Sequence, residues 1–128
     1  MDVIKQEFDP EVDVSAIQQH PRNPRKGDDA SVRESMEHND FFGAILVQRS
    51  TGYVIAGNTR YRVMKADGET TIPAFWVDFD DETAMRIMLA DNRTSDLAFY
   101  DDEQLFGLLR DLNNSEGLDG TGYDRSAY

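Results

Sequence analysis

Val54-Ile55-Ala56-Gly57-Asn58-Thr59-Arg60-Tyr61-Arg62 is a β-branched run that stops at a glycine and passes into an amide, a hydroxyl and two guanidinium groups. It reads as a strand that turns at Gly57 into a helix. Glycine permits the tight turn and close approach of another group to the backbone. The first N–H groups of the helix lack intrahelical partners and point at whatever lies above them. Thr59 adds a hydroxyl donor, and Arg60 a planar fork that matches phosphate oxygens. The corner is therefore a candidate anion site, and the plain alternative is an ordinary strand–turn–helix corner with surface arginines.

Upstream of the corner, Ala44-Ile45-Leu46-Val47-Gln48 is an apolar run of strand length and Ser50-Thr51-Gly52 is turn chemistry, which makes Tyr53 to Ala56 the returning strand of a hairpin. Asp28 or Asp29 caps an expected helix over residues 30–38, with Val32, Ser35 and Met36 inward and Asn39 as its stop. Before it, Pro21-Arg22-Asn23-Pro24-Arg25 forbids regular structure and presents arginines from a stiff loop. Val12, Val14 and Ile17 suggest a short opening strand, and residues 1–11 read as a loose lead-in.

Downstream, Tyr61, Met64 and Lys65 fall at helical spacing and Gly68 ends that helix. Residues 72–79 form the next strand, and Pro73 places it at an edge or puts the proline at a strand start. Asp80-Asp81-Glu82 and Asp101-Asp102-Glu103 each open a helix. The second carries Leu105, Leu108, Leu109 and Leu112 as an expected packing stripe. From residue 113 the apolar period is lost, so 113–128 reads as a flexible tail or the start of a further region. The fold class is α+β: one domain over 12–112, a small mixed β-sheet with packed helices.

Composition limits the chemistry. With no cysteine among 128 residues, disulfides, thiol nucleophiles and cysteine-ligated metals are excluded. The absence of a long apolar run leaves a cytoplasmic protein without a membrane partner as the expectation. The net charge of −12 works against duplex nucleic acid unless cations are gathered in one place. Residues 1–62 hold 8 basic against 10 acidic side chains, and 63–128 hold 5 against 15. Arg22, Arg25, Lys26, Arg60 and Arg62 therefore form the candidate positive pole.

Three blocks in order resemble the ParB/sulfiredoxin-like domain family, whose phage-type members bear the label ParB-like nuclease. Asn23-Pro24-Arg25 is similar to the Asn-Pro-Arg of ParB amino-terminal domains. The Gly57 corner followed by Gly68 and Ile72-Pro73-Ala74 is similar to the block in which Gly-Glu-Arg-Arg of ParB, or Gly-Cys-His-Arg of sulfiredoxin, opens a helix. Ala90-Asp91-Asn92-Arg93 resembles the later Glu-Asn-x-x-Arg block. The resemblance implies a ParB/sulfiredoxin-like fold and a nucleotide, CTP or ATP with Mg²⁺, held by its phosphates. Carried over, Gly57, Asn58, Thr59 and Arg60 become the phosphate cradle, Asn92 and Arg93 a second wall, and Arg25 a reach from the loop. Positions two apart on a helix face different ways, so Arg62 competes with Arg60 for one pocket and a salt bridge is its alternative.

The departures narrow the expectation. Asn58 stands where sulfiredoxin has its cysteine, which removes reductase chemistry. Gly43-Ala44 replaces the Gln-Pro common in ParB, so selectivity for cytosine does not carry over. The residues after 112 do not supply the helix-turn-helix and dimerisation domains of a full ParB clamp. Three functions compete. The first is a nucleotide-binding module that regulates a protein partner or a homodimer, with DNA engaged only indirectly or through another domain. The second is a phosphoryl-transfer enzyme or nuclease, with Glu34 or Glu37 as the catalytic carboxylate. The third is an acidic protein-interaction module without nucleotide.

Overall fold

The computed structural model of the chain describes residues 1–124. A five-stranded mixed sheet forms from β1 (Glu7–Asp13), β2 (Gln18–Gln19), β3 (Ile45–Gln48), β4 (Tyr53–Ala56) and β5 (Thr71–Val77), in the order β1-β5-β3-β4-β2. The β3–β5 and β2–β4 pairs are parallel, and the β1–β5 and β3–β4 pairs antiparallel. Four α-helices complete the domain: α1 (Asp29–Asn39), α2 (Asn58–Ala66), α3 (Asp81–Leu97) and α4 (Asp102–Asn113). The α+β class and the hairpin–helix–strand order follow the sequence pattern.

The sheet's two faces take different helices. Ile45, Val47, Val54, Ile72 and Tyr61 lie in one buried cluster with Val12, Val14 and Ile17, whereas Ile55 packs with Ala84 and Met88 of α3. Adjacent strand residues point to opposite faces, so Val54 and Ile55 serve one cluster each. Each fully buried aliphatic side chain contributes roughly 1.5–3 kcal/mol. The Tyr61 hydroxyl lies 2.8 Å from the Val14 carbonyl oxygen and 2.7 Å from that of Ile17, which ties α2 to the turn after β1.

Several expectations are corrected. Residues 1–11 are not wholly a loose lead-in, because Glu7 onward pairs with β5. That pairing makes β5 internal, so Pro73 is no edge residue. It is tolerated because the β1–β5 register breaks between Asp9 and Val12, opposite it, where Pro10 also lacks an N–H. Only half of the leucine stripe of α4 is a packing face: Leu109 is buried and Leu105 half-buried, but Leu108 and Leu112 are 64% and 46% exposed. Part of the expected tail is docked, since Gly120 donates its N–H to Glu34 Oε1 at 3.1 Å and accepts from Asn39 Nδ2 at 2.9 Å. Its last stretch, residues 125–128, lies outside the described residues.

Candidate functional site

Gly57 sits at φ 89° and ψ 24°, a left-handed conformation that L side chains rarely adopt, and a Cβ there would lie 2.6 Å from Ile45 Cγ2. The turn it makes starts α2 without a side-chain cap. The other α-helices all begin under an aspartate: Asp28 accepts from Ser31 N at 3.1 Å, Asp80 from Thr83 N at 2.8 Å and Asp101 from Gln104 N at 3.2 Å. In α2 the first helical bond runs from Tyr61 N to Gly57 O at 3.0 Å. The N–H groups of Asn58, Thr59 and Arg60 therefore have no partner within the helix, and the helix dipole adds positive potential there.

A cleft of about 320 Å³ opens over this corner, walled by the 23–28 loop and the C-terminal half of α3. Asn92 Nδ2 donates to Asn23 Oδ1 at 3.0 Å, and Arg25 Nη1 donates to the Asn92 carbonyl oxygen at 3.3 Å, which locks loop to helix. Gly27 runs so close to the corner that a Cβ on it would fall 1.9 Å from Thr59 Oγ1. Gly57, Asn58, Thr59, Arg60, Arg25 and Asn92 thus converge on one cleft from three segments distant in sequence.

Their roles differ from one another. Arg60 is half-buried, makes no hydrogen bond or ion pair among the described residues, and runs past Gly43, where a Cβ would be 2.9 Å from its Nη1. Arg62 is spent elsewhere: its Nε donates to both oxygens of Asp29 and its Nη2 to Asp29 Oδ1. Asn58 lines the cleft but its side chain is structural, accepting from His20 N at 3.1 Å and donating to Val54 O at 2.9 Å. Arg25 pairs loosely with Asp96 at 3.5 Å, an exposed contact that a stronger anion can displace.

Besides Arg62, three expected residues do not reach the cleft. Arg93 is exposed on α3 and absent from its walls, because successive helical residues diverge and Asn92 takes the inward direction. Glu34 and Glu37 lie on the exposed side of α1, and Glu34 holds Gly120 instead. The cleft also includes Asp91 and Ser95. In the sequence Asp91 stands beside Asn92 in the block that resembles Glu-Asn-x-x-Arg without being singled out for the site, and its place on the cleft needed the packing of α3 against the corner.

The local charges are tuned by their partners. The Asp29 carboxyl is held below its usual range, chiefly by the Arg62 hydrogen bonds. Asp28 is lowered by the Ser31 N–H and hydroxyl, so both carboxylates stay ionised. His20 is lowered, first by burial and then by the charge of Arg22, and its Nδ1 accepts from Arg22 N at 3.1 Å, as a neutral imidazole. No group of three or more His, Cys, Asp or Glu among the described residues is arranged to hold a metal ion.

A family model described as the ParB N-terminal domain matches residues 3–93. Comparison with curated proteins gives no match. Among solved structures, the chain is similar to the C-terminally truncated chromosome-partitioning protein ParB from Caulobacter crescentus complexed with CTP-γ-S, at 22% identity and a TM-score of 0.57, covering 67% of this chain and 52% of that one. It is similar to a Pnob8-like ParB-N domain at 17% identity and TM-score 0.59, covering 72% and 39%. Sulfiredoxin from Arabidopsis thaliana matches at 21% identity and TM-score 0.51, covering 64% of this chain and 97% of that one. These identities speak for a common fold, and the chain spans about half the length of the Caulobacter protein it matches.

Proposed function

The chain belongs to the ParB N-terminal domain family, with the ParB/sulfiredoxin-like fold, and from that premise we propose that it is a nucleotide-binding module. A nucleoside tri- or diphosphate is held by its phosphates in the cleft above Gly57. The observation that carries this reading is the uncapped start of α2 facing a half-buried, unpaired Arg60. A half-buried guanidinium without a counter-ion gives up part of its hydration with nothing in return, and a phosphate group supplies the missing charge and the acceptors for three free N–H groups.

The residues present fit a phosphate ligand together with a divalent cation. Arg25 and Arg60 supply positive charge, while Asp28 and Asp91 on the same cleft oppose a bare triphosphate. Mg²⁺ bound to the phosphate oxygens offsets that repulsion, and Asp91 is the carboxylate available to face it. CTP is the first nucleotide to test because a structural relative of this fold is described with CTP-γ-S, and ATP is the second.

The output is proposed as regulatory, through a protein partner or a second copy, with DNA reached only indirectly. No helix among the described residues is long and apolar enough to cross a membrane. A phosphoryl-transfer or nuclease role lacks the expected carboxylates, since Glu34 and Glu37 stand off the cleft. Calorimetric titration with CTP, ATP, GTP and ADP, with and without Mg²⁺, tests the reading. A nucleotide should bind more tightly than inorganic phosphate and lose that affinity in Arg60→Ala; no preference over phosphate overturns it.

A further inference from the structure

A second and larger cleft, about 610 Å³, adjoins the nucleotide cleft across Asn23, Arg25 and Asn58, which line both. The short edge strand β2, the loop that follows it and one side of α2 form its walls. Arg25, Lys26, Arg62 and Lys65 converge there, and no acidic side chain lines it among the described residues. Two of the four have carboxylate partners just outside the cleft, Arg62 with Asp29 and Arg25 loosely with Asp96, so among the described residues Lys26 and Lys65 are the cations of the cleft left without a counter-ion in a chain of net charge −12. The first cleft, by contrast, sets Arg25 and Arg60 against Asp28 and Asp91.

The donors are also pre-oriented. Asp29 grips Arg62 through Nε and Nη2, which fixes the guanidinium plane and leaves Nη1 outside the pair. The loop is braced by the bonds from Asn58 to His20 N, from Asn23 N to His20 O at 3.2 Å, and from Arg25 N to Asn23 Oδ1 at 3.2 Å. Neither Lys26 nor Lys65 forms an ion pair among the described residues; Lys65 Nζ stands 5.9 Å from the Tyr61 ring centre. A cavity of this size suits a small ligand rather than a protein surface.

We propose that this cleft is a second anion site, one that takes a small phosphorylated ligand without a metal ion. It differs from the nucleotide cleft in charge balance, and therefore in its cation requirement. The test is calorimetric titration of the full chain with inorganic tripolyphosphate in EDTA, on wild type, the Lys26→Ala/Lys65→Ala double variant and Arg60→Ala. Wild type binds, the affinity falls with added salt, the double variant loses about tenfold or more, and Arg60→Ala matches wild type. Both lysines are exposed, so unchanged melting curves verify that the double variant is folded.

No binding in EDTA, full affinity in the double variant, or equally tight binding of citrate overturns the proposal. The two readings fail separately. Loss of Mg²⁺-nucleotide binding with tripolyphosphate retained in EDTA removes the nucleotide site alone, and the reverse result removes this one alone.

Discussion

Arg62 donates from Nε to both carboxylate oxygens of Asp29, at 2.9 and 3.1 Å, and so ties α2 to the first turn of α1. The pairing separates two arginines that sequence leaves side by side. Residues two apart on a helix point about 200° apart, so the two guanidiniums do not share a partner: Arg62 meets the first turn of α1, while Arg60 lines the cleft and, beside it, a smaller hollow with Val32, Ser35 and Met36 of α1.

Substitution of these neighbours should therefore have unequal effects on Mg²⁺-nucleotide binding. Arg60→Ala is expected to lose at least ~tenfold in affinity, while Arg62→Ala changes it by less than about threefold and instead lowers the melting temperature. Calorimetry on both variants decides it. Equal losses would mean that both arginines reach the ligand.

Gly57→Ala should cost roughly 2–4 kcal/mol in denaturant unfolding, from a left-handed backbone and a Cβ pressed on Ile45 Cγ2. In an Ile45→Ala background the added cost should shrink toward the backbone contribution alone, since the methyl group in the way is gone. An identical cost in both backgrounds would show that the contact with Ile45 is not part of the penalty.

Asn58→Leu should destabilise by roughly 2 kcal/mol or more, because His20 N–H and Val54 C=O lose their partner in a nearly buried place. Urea unfolding midpoints measure this. A variant as stable as wild type would instead return Asn58 to the role of a ligand-facing amide.

His20 predicts a pH dependence. Its folded pKa is lowered, so between the ordinary value of 6.5 and the folded value the unfolded chain binds a proton that the folded chain refuses. Stability is complete above that window and falls as pH drops through it. Melting temperatures from pH 8 to 5 should show this decline, and His20→Asn, whose oxygen can still accept from Arg22 N, should flatten it. A slope unaltered by the substitution would assign the decline to other groups.

Much of the fold was legible because local chemistry and period agree. Asp28, Asp80 and Asp101 cap helices as their sequence contexts indicate, and Gly52, Gly57 and Gly68 all turn with positive φ. The N-terminal strand escaped because Pro10 sits in the middle of its polar–apolar alternation and leaves Phe8 and Val12 as its only large apolar members, and its pairing with β5 is set by partners 58 to 69 positions away. The α4 leucines misled for a related reason: amphipathic spacing shows that a face exists, without showing what covers it.

At the candidate site, the sequence determined the corner itself, since a β-branched strand, a glycine and a helix with no acidic cap follow from neighbouring residues. Tertiary structure alone decided which charged groups face it. Arg25 and Asn92 arrive from segments more than 30 residues to either side, Arg62 turns to Asp29, Arg93 turns to solvent, and Glu34 turns to Gly120. Backbone conformation is a short-range property of a few adjacent residues, whereas a charge takes its direction from the nearest opposite charge in space, and only the packed chain fixes that distance.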